Sequence, residues 1–266
     1  MNLKSRGYND CILRVDLSSG VISREALPQP VMRPLLGGKG LGAYLLLNEL
    51  PPKVGALSPE NRLILDVGPL TGTTAPTAGR LGSTTKSPAT GTYSDGYCGG
   101  FFGQTLKYAG YDALILQGAA HESVMLVIED DRVELRPAAH IWGLTIPLAN
   151  ESLREQFGQG WQTLVIGPPG EKQSNIAGIF NETRALARGG VGAVMGSKNL
   201  KAIVARGTGL VAVADRQRYE RALQLATRAI RMSSSIARMK QDGTANILEF
   251  INAVGALPTR NFQKGQ

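Results

Sequence analysis

Short apolar runs separated by polar turns make up most of the chain, and they predict β-strands. Residues 12–17 and 21–23 flank a Ser-Ser-Gly turn, which predicts a β-hairpin. Residues 124–129 and 132–136 flank Asp130-Asp131 and predict a second hairpin. Further strands are predicted over residues 62–67, 112–117, 163–167, 176–180 and 202–205.

Helical periodicity is confined to fewer segments of this part of the chain. It predicts helices over residues 35–50, 101–108 and 147–157. Many short strands and hairpins with few long helices are typical of a β-rich α+β domain, and they disfavour a doubly wound parallel sheet.

The pattern changes in the last part of the chain. Residues 216–232 repeat apolar side chains at helical spacing with arginines on the opposite face, and a further helix is predicted over residues 245–254. We therefore place a domain boundary near residue 210, between a domain of residues 1–210 and the beginning of a helical domain at residues 211–266. The chain stops without a terminal element that packs, so we expect the second domain to be truncated.

Glycine-rich loops interrupt the strands, and 33 of the 266 residues are glycine. Residues 68–80 form a loop of small and hydroxyl-bearing residues that ends on Arg80. Residues 95–100 form a second loop, which leads into the helix predicted at Phe101. A loop that delivers glycines to a helix N-terminus is suited to binding phosphate. Both loops are therefore candidate anion sites.

A third glycine-rich stretch, residues 181–201, sets Arg184 and Arg188 beside Gly189 and Gly190. Successive N–H groups in such a turn can form a concave nest for anions, and arginines offer bidentate forks to phosphate. The same residues also fit a tight turn that packs against a helix and leaves the arginines solvated. The stretch by itself leaves both interpretations open.

The chain offers few ligands for a metal of its own. It has two cysteines, Cys11 and Cys98, and two histidines, His121 and His140. This composition excludes a zinc finger, a self-contained iron–sulfur site and a disulfide framework within the chain. No apolar run approaches the roughly 18 residues of a membrane span, and the N-terminus lacks a signal pattern. We therefore expect a cytoplasmic protein with no membrane association.

The net charge of +8 is placed unevenly along the chain. Residues 1–180 hold 15 lysines and arginines against 16 acidic residues, whereas residues 181–266 hold 14 against 5. Such asymmetry can indicate nucleic-acid binding. The basic residues here lack the interleaved aromatic side chains of a strand-binding surface. An anionic cofactor and a solvated or partner-facing helix explain them better, so we expect no nucleic-acid partner.

Several of these segments, taken in order and with their spacing, resemble the N-terminal part of the tungsten-containing aldehyde ferredoxin oxidoreductases. The likeness runs from about Leu13 to the last residues. It is carried by residues 68–72, 85–88, 99–103, 109–112, 188–203 and 257–262.

The resemblance implies a two-sheet domain that serves as the base for a bis-pyranopterin cofactor carrying tungsten or molybdenum. Further helical domains cover the cofactor in this family and supply cysteines to a [4Fe-4S] cluster. The family oxidises aldehydes to carboxylic acids with water and passes the electrons to ferredoxin. The cluster cysteines and acid–base residues are expected beyond Gln266, in C-terminal domains or a companion subunit. The chain alone should therefore not turn over.

The resemblance also assigns candidate cofactor-binding residues. Arg80 and Gly99 match family positions at the pterin, and Arg184 and Arg188 match positions around the pterin phosphates. Ala187 stands where the family commonly has glycine, and its backbone N–H is expected to remain a donor.

A magnesium ion bridges the pterin phosphates in this family. The main-chain carbonyl of Ala185 is the position that matches a magnesium ligand. Tyr97 stands where better-known members have an asparagine that helps to hold magnesium. A phenol is a poor substitute for an amide carbonyl, so this contact is in doubt.

Two other functions fit parts of the sequence. A shortened relative could serve as a free-standing, non-catalytic module that binds pterin or phosphate. Nucleic-acid binding through the basic last third is the other alternative, and it would require a steep dependence of affinity on salt.

Overall fold

The structure is a computed structural model and describes residues 7–265. The chain divides into two compact units, and the division falls between Ala214 and Asp215. The first unit contains both β-sheets, and the second contains helical segments and an isolated β-bridge between Thr259 and Lys264. The domain boundary near residue 210 stays a prediction.

The first sheet has the strand order β2-β1-β6-β3-β4-β5. Its strands are β1 (Cys11–Asp16), β2 (Ile22–Ala26), β3 (Leu63–Asp66), β4 (Leu81–Lys86), β5 (Tyr93–Cys98) and β6 (Ala113–Gln117). Strands β1 and β6 are parallel, and the other neighbouring pairs are antiparallel. Strand β5 is thus an edge strand.

The second sheet has the strand order β11-β10-β9-β12-β7-β8. Its strands are β7 (Val124–Glu129), β8 (Arg132–Pro137), β9 (Gln162–Val165), β10 (Ile179–Asn181), β11 (Arg184–Leu186) and β12 (Leu200–Arg206). Strands β7 and β12 are parallel, and the remaining pairs are antiparallel. Strand β11 is an edge strand of this sheet.

Helices connect the strands, and they pack both on the outer faces of the sheets and in the core that the two sheets share. Those of the first unit are α1 (Gln29–Leu35), α2 (Lys39–Glu49), α3 (Phe102–Tyr108), α4 (Ile146–Phe157), α5 (Pro168–Glu171) and α6 (Val191–Ser197). The second unit has α7 (Arg216–Met232), α8 (Ser234–Asp242), a 3₁₀ segment (Gly243–Ile247) and α9 (Leu248–Ala253). None of the helices within residues 7–265 combines the length and apolar character needed to cross a membrane.

Successive side chains of a strand point to opposite faces of its sheet. The buried apolar side chains form three clusters on these faces. Leu65 of β3 and Leu126 of β7 belong to the main core, which draws on both sheets. Ile64 points to the opposite face and packs with α2. Val204 of β12 packs in the cluster that includes Leu153 of α4. Each fully buried aliphatic side chain stabilises the fold by about 1.5–3 kcal/mol.

The α+β architecture with two sheets, expected from the sequence and the family resemblance, is confirmed. Both hairpins and the helices that begin near Phe102, Ile146 and Arg216 are present. The prediction of a loop over residues 95–100 was wrong. Residues 95–98 belong to β5 and pair with β4. An edge strand with one polar face lacks the apolar alternation that predicts strands.

Four helices escaped the sequence pattern, namely α1, α5, α6 and α8. Helix α1 precedes the predicted 35–50 segment, whose helical part is α2. Helix α6 contains glycines that lower helix propensity. The Ser233 hydroxyl accepts a hydrogen bond from the Ile236 N–H and caps α8, an interaction that the hydrophobic pattern does not reveal.

Candidate functional site

The edge strands β5 and β11 lie against each other, so the two sheets meet there. The Gly99-Gly100 turn follows β5, and the Glu182-Thr183 turn precedes β11. Both turns therefore open at the same end of the contact. This arrangement brings together two of the glycine-rich stretches that the sequence analysis singled out.

A cavity of about 500 Å³ lies at this end. It brings together four of the six predicted site residues, and the other two, Ala187 and Arg188, are exposed and do not line it. The residues that line it are Arg80, Tyr97, Cys98, Gly99, Gly100, Thr183, Arg184 and Ala185.

A second cavity of about 350 Å³ adjoins the first and shares Arg80 and Tyr97 with it. Its other walls are residues 36–38, 66–71 and 76–78. The predicted loop of residues 68–80 thus borders both cavities. Gly37 and Gly38 belong to these walls and directly precede α2.

Asn181 fixes the turn that carries Gly99. Its amide oxygen accepts hydrogen bonds from the N–H groups of Phe101 (2.9 Å) and Phe102 (3.3 Å). Gly100 has φ of +93°, and a Cβ built there would lie 1.9 Å from the same oxygen. The turn therefore requires glycine at position 100 and an amide at position 181. Sequence reasoning missed Asn181, since a single asparagine beside a turn carries no distinctive signal.

Gly99 has room beside it that the protein does not fill. A Cβ built there would make only ordinary contacts of 3.8 Å, with the aliphatic carbons of Arg184. Gly99 also lines the larger cavity. Its backbone is therefore open to close approach by a ligand.

Three arginines around this region carry charge without a counter-charge. Arg80, Arg184 and Arg188 are exposed. Within residues 7–265 none of the three makes an ion pair or a side-chain hydrogen bond. Guanidinium groups with free forks are suited to binding phosphate in a bidentate way. Arg80 and Arg184 face one cavity, so the site fits an anionic group.

Cys98 lies beneath Arg80 and is buried. Burial raises the pKa of the Cys98 thiol to about 11, and the charge of Arg80 opposes this rise. The thiol is therefore protonated at neutral pH and is a poor metal ligand. The part of the chain that the structure describes contains no cluster of three or more histidine, cysteine or acidic side chains that could hold a metal.

The carbonyl of Ala185 is placed on a free sheet edge. The turn joining β10 to β11 has two residues, and Asn181 pairs with Arg184 across it. In such a hairpin the closing pair exchanges hydrogen bonds, so the next pair, Phe180 and Ala185, directs its backbone groups away from its partner. We therefore expect the Ala185 carbonyl to point toward the open edge.

The phenol oxygen of Tyr97 already takes part in a hydrogen bond within the protein. The oxygen accepts a hydrogen bond from the Lys39 N–H at 3.1 Å. The phenol is thus held at the start of α2, and burial raises its pKa. A metal at this oxygen would compete with the Lys39 N–H, so the side chain does not fit the role of an asparagine ligand.

The turn at Gly189 and Gly190 is packed by the protein itself. Both have φ near +70°. A Cβ on Gly189 would lie 2.0 Å from the Ser94 hydroxyl, and one on Gly190 would lie 2.6 Å from the Asn175 carbonyl. The tight-turn interpretation therefore describes these two glycines, whereas the arginines beside them remain exposed.

Comparisons with known proteins place this domain. The family profile described as "Aldehyde ferredoxin oxidoreductase, N-terminal domain" matches residues 12–207. Tungsten-containing aldehyde ferredoxin oxidoreductases from Pyrococcus abyssi and Pyrococcus horikoshii are each 44% identical over 97% of this chain. The chain spans 43% of the length of each of these relatives.

A solved structure shares the fold. It is described as the active site complex BamBC of benzoyl coenzyme A reductase with 1,5-dienoyl-CoA. The superposition has a TM-score of 0.83 at 37% sequence identity, and it covers 85% of this chain and 35% of that chain. The fold and the matched profile thus define the cofactor-binding N-terminal domain of an oxidoreductase. The chain belongs to the aldehyde ferredoxin oxidoreductase family.

Proposed function

We propose that this domain holds a bis-pyranopterin cofactor that carries tungsten or molybdenum. The observation that carries the proposal is the pair of unpaired guanidinium groups, Arg80 and Arg184, facing one cavity beside the open backbone of Gly99. The relatives that are 44% identical are described as tungsten-containing, and the family resemblance supplies the pterin phosphates as the anion.

The proposed roles follow from the chemistry of each group. Arg80, Arg184 and Arg188 neutralise and orient the pterin phosphates through charge-assisted hydrogen bonds. The backbone N–H groups of Gly99 and Ala187 donate to the same cofactor. Arg188 lies outside the cavity lining, so its proposed role rests on the family resemblance.

A magnesium ion between the phosphates is proposed to take the Ala185 carbonyl as a ligand. This carbonyl is expected on a free sheet edge, which supports the assignment. Magnesium prefers oxygen ligands and keeps several waters, so one backbone carbonyl with phosphate oxygens suffices. The Tyr97 phenol is left out of the proposed ligand set, because it accepts from the Lys39 N–H.

We propose that the complete protein oxidises aldehydes to carboxylic acids and passes electrons to ferredoxin. The bound metal and pterins supply the redox chemistry, and the protein supplies binding, orientation and charge. A [4Fe-4S] cluster is proposed to be held by domains outside this chain or by a companion subunit. The site of action is proposed to be the cytoplasm.

Metal and pterin analysis of protein purified from a native or tungstate-supplied source tests this proposal. We expect tungsten or molybdenum to elute with pterin on the same protein peak. The complete protein should reduce a viologen dye when an aldehyde is added, and the 266-residue chain alone should not. Pterin bound in stoichiometric amount by a complete protein without iron would instead support a non-catalytic pterin-binding module. Absence of both pterin and metal would refute the proposal.

A further inference from the structure

A buried polar group lies on the face of the first sheet that α2 covers. Asp66 ends β3, and Thr84 lies on the neighbouring strand β4. Both side chains are 0% exposed. Among the described residues, neither the carboxylate oxygens of Asp66 nor the Thr84 hydroxyl makes a hydrogen bond of normal geometry, although the Thr84 hydroxyl lies near enough to lower the pKa of Asp66. Buried polar atoms in folded proteins are almost always satisfied by protein, water or an ion.

Two of these oxygens, Asp66 Oδ2 and Thr84 Oγ1, lie beside Gly42, and Asp66 Oδ1 lies beside Gly82. A Cβ built on Gly42 of α2 would lie 2.3 Å from Thr84 Oγ1 and 2.6 Å from Asp66 Oδ2. A Cβ built on Gly82 would lie 2.0 Å from Asp66 Oδ1. Larger residues at positions 42 and 82 would therefore displace these side chains. The two glycines leave the polar group its space.

Within the described part of the chain, Asp66 forms no ion pair, and no positive charge contributes to its pKa. Asp95 of β5 is the neighbouring carboxylate, and its ion pair with Lys39 of α2 spans 3.8 Å. The phenols of Tyr93 and Tyr97, which also belong to β5, lie near Asp66 as well. Burial raises the pKa of Asp66 to about 7, Asp95 adds to the rise, and the nearby Thr84 hydroxyl opposes it. Above neutral pH an uncompensated charge is thus left in the interior.

We propose that Asp66 and Thr84 bind one monovalent cation, K⁺ or Na⁺, together with ordered water. Carboxylate and hydroxyl oxygens are hard ligands of the kind such cations take. One unpaired carboxylate matches a single positive charge, whereas a divalent ion would leave a net charge buried. Asp66 and Tyr97 both belong to the wall of the 350 Å³ cavity, which gives the ion a route to solvent.

The ion would act on the neighbouring anion site through charge. Tyr97 and Arg80 line the same cavity as Asp66. Neutralising Asp66 removes a negative charge from beneath a surface that we propose binds phosphates. The cation site itself rests on the buried oxygens alone and does not depend on the proposed cofactor.

Thermal unfolding of the purified protein in three salts of equal ionic strength tests the proposal. At about pH 8.5, where Asp66 is mostly ionised, we expect the midpoint to be about 3 °C higher in KCl or NaCl than in choline chloride. Asp66→Asn should abolish this difference. Equal midpoints of the wild-type protein in all three salts would overturn the proposal and leave a proton as the only neutralising group. A difference that survives in Asp66→Asn would also overturn it.

Two further variants separate ion binding from general stability. Thr84→Val keeps the shape of the side chain but removes one ligand oxygen, so the midpoint difference between KCl and choline chloride should shrink. Asp112→Asn removes a buried carboxylate that is already paired with Lys107, so its effect should be the same in every salt.

Thallium(I), an NMR-visible substitute for potassium, gives a readout that needs no variant. In chloride-free nitrate buffer we expect one bound resonance that KNO₃ displaces, and its absence would contradict the assignment.

Discussion

The amide oxygen of Asn181 accepts a hydrogen bond from the Phe101 N–H at 2.9 Å, and this bond ties the second sheet to the turn that carries Gly99. The amide nitrogen of Asn181 donates to the Thr163 carbonyl at 2.9 Å, within the second sheet. One side chain therefore holds the end of β10, the turn after β5 and the start of α3 in a fixed relation. The candidate site depends on this relation, because Gly99 and Arg184 lie on its two sides.

Replacing Asn181 by alanine should destabilise the turn after β5, which borders the cavity. The N–H group of Phe102 loses its acceptor in a buried place and that of Phe101 in a partly buried one, so we expect a loss of about 2 kcal/mol in the free energy of unfolding. Urea titration measures this change. Asn48→Ala, at an exposed helical position, should change stability by no more than about 0.5 kcal/mol. Equal effects of the two changes would contradict the role given to Asn181.

Gly196 should tolerate no side chain. A Cβ at this position in α6 would lie 1.9 Å from the Gly170 carbonyl, so the backbone of α5 or α6 would have to move. We expect Gly196→Ala to lower the free energy of unfolding by about 3 kcal/mol or more, since overpacking a rigid contact strains the backbone. Gly55→Ala is the matched control, because its Cβ would meet only Ser58 at 3.6 Å. A nearly neutral Gly196→Ala would show that the α5–α6 contact is looser than described.

The buried ion pair of Lys201 and Glu171 should behave as a unit. The Lys201 ammonium also donates to the carbonyls of Leu144 (2.9 Å) and Ile166 (2.7 Å). Lys201→Met should cost about 3–5 kcal/mol of stability, because it leaves Glu171 buried without its partner. The double variant with Glu171→Gln should recover part of this loss. Denaturant unfolding of the four proteins gives the coupling, and strict additivity would contradict it.

The pKa of Asp66 predicts a pH-dependent effect of Asp66→Asn. Because the folded-state pKa of about 7 lies above that of an unfolded aspartate, the wild-type protein is most stable with Asp66 protonated. It loses stability as the pH rises from about 4 to about 7. In choline chloride, the free energy of unfolding of Asp66→Asn should therefore rise relative to that of the wild type over this range, by up to about 4 kcal/mol. A difference that does not vary with pH would exclude a buried carboxyl of this kind.

The sequence predicted most of the architecture because apolar strands and hairpins have a clear period. It failed where structure depends on long-range contacts. Strand β5 has an exposed polar face and is defined by its pairing with β4. Helix α6 is rich in glycine, and Gly192 and Gly196 pack it against the backbone of Gly178 and Gly170. Local propensity carries no information about either contact.

The candidate site was predicted in part for a similar reason. The positions of Arg80, Gly99 and Arg184 came from family resemblance, and the structure brings them to one cavity. Asn181 and Asp66 could not be predicted, because the partners of Asn181 and the burial of Asp66 depend on segments far away in the chain. An aspartate at the end of an apolar strand was the one available signal for Asp66.

The central claim is that the cavity of Arg80, Gly99 and Arg184 holds the phosphates of a pterin cofactor. The most direct test is the amount of pterin retained per protein chain after gel filtration. Arg184→Gln removes one unpaired guanidinium and keeps a polar side chain of similar length. Arg132→Gln, at the far edge of the second sheet, changes the net charge equally and serves as the control.

We predict that the wild type and Arg132→Gln retain equal amounts of pterin, and that Arg184→Gln retains about tenfold less. A tenfold loss corresponds to about 1.4 kcal/mol, at the lower end for a hydrogen bond to a charged group. Equal retention of pterin by all three proteins would contradict the claim.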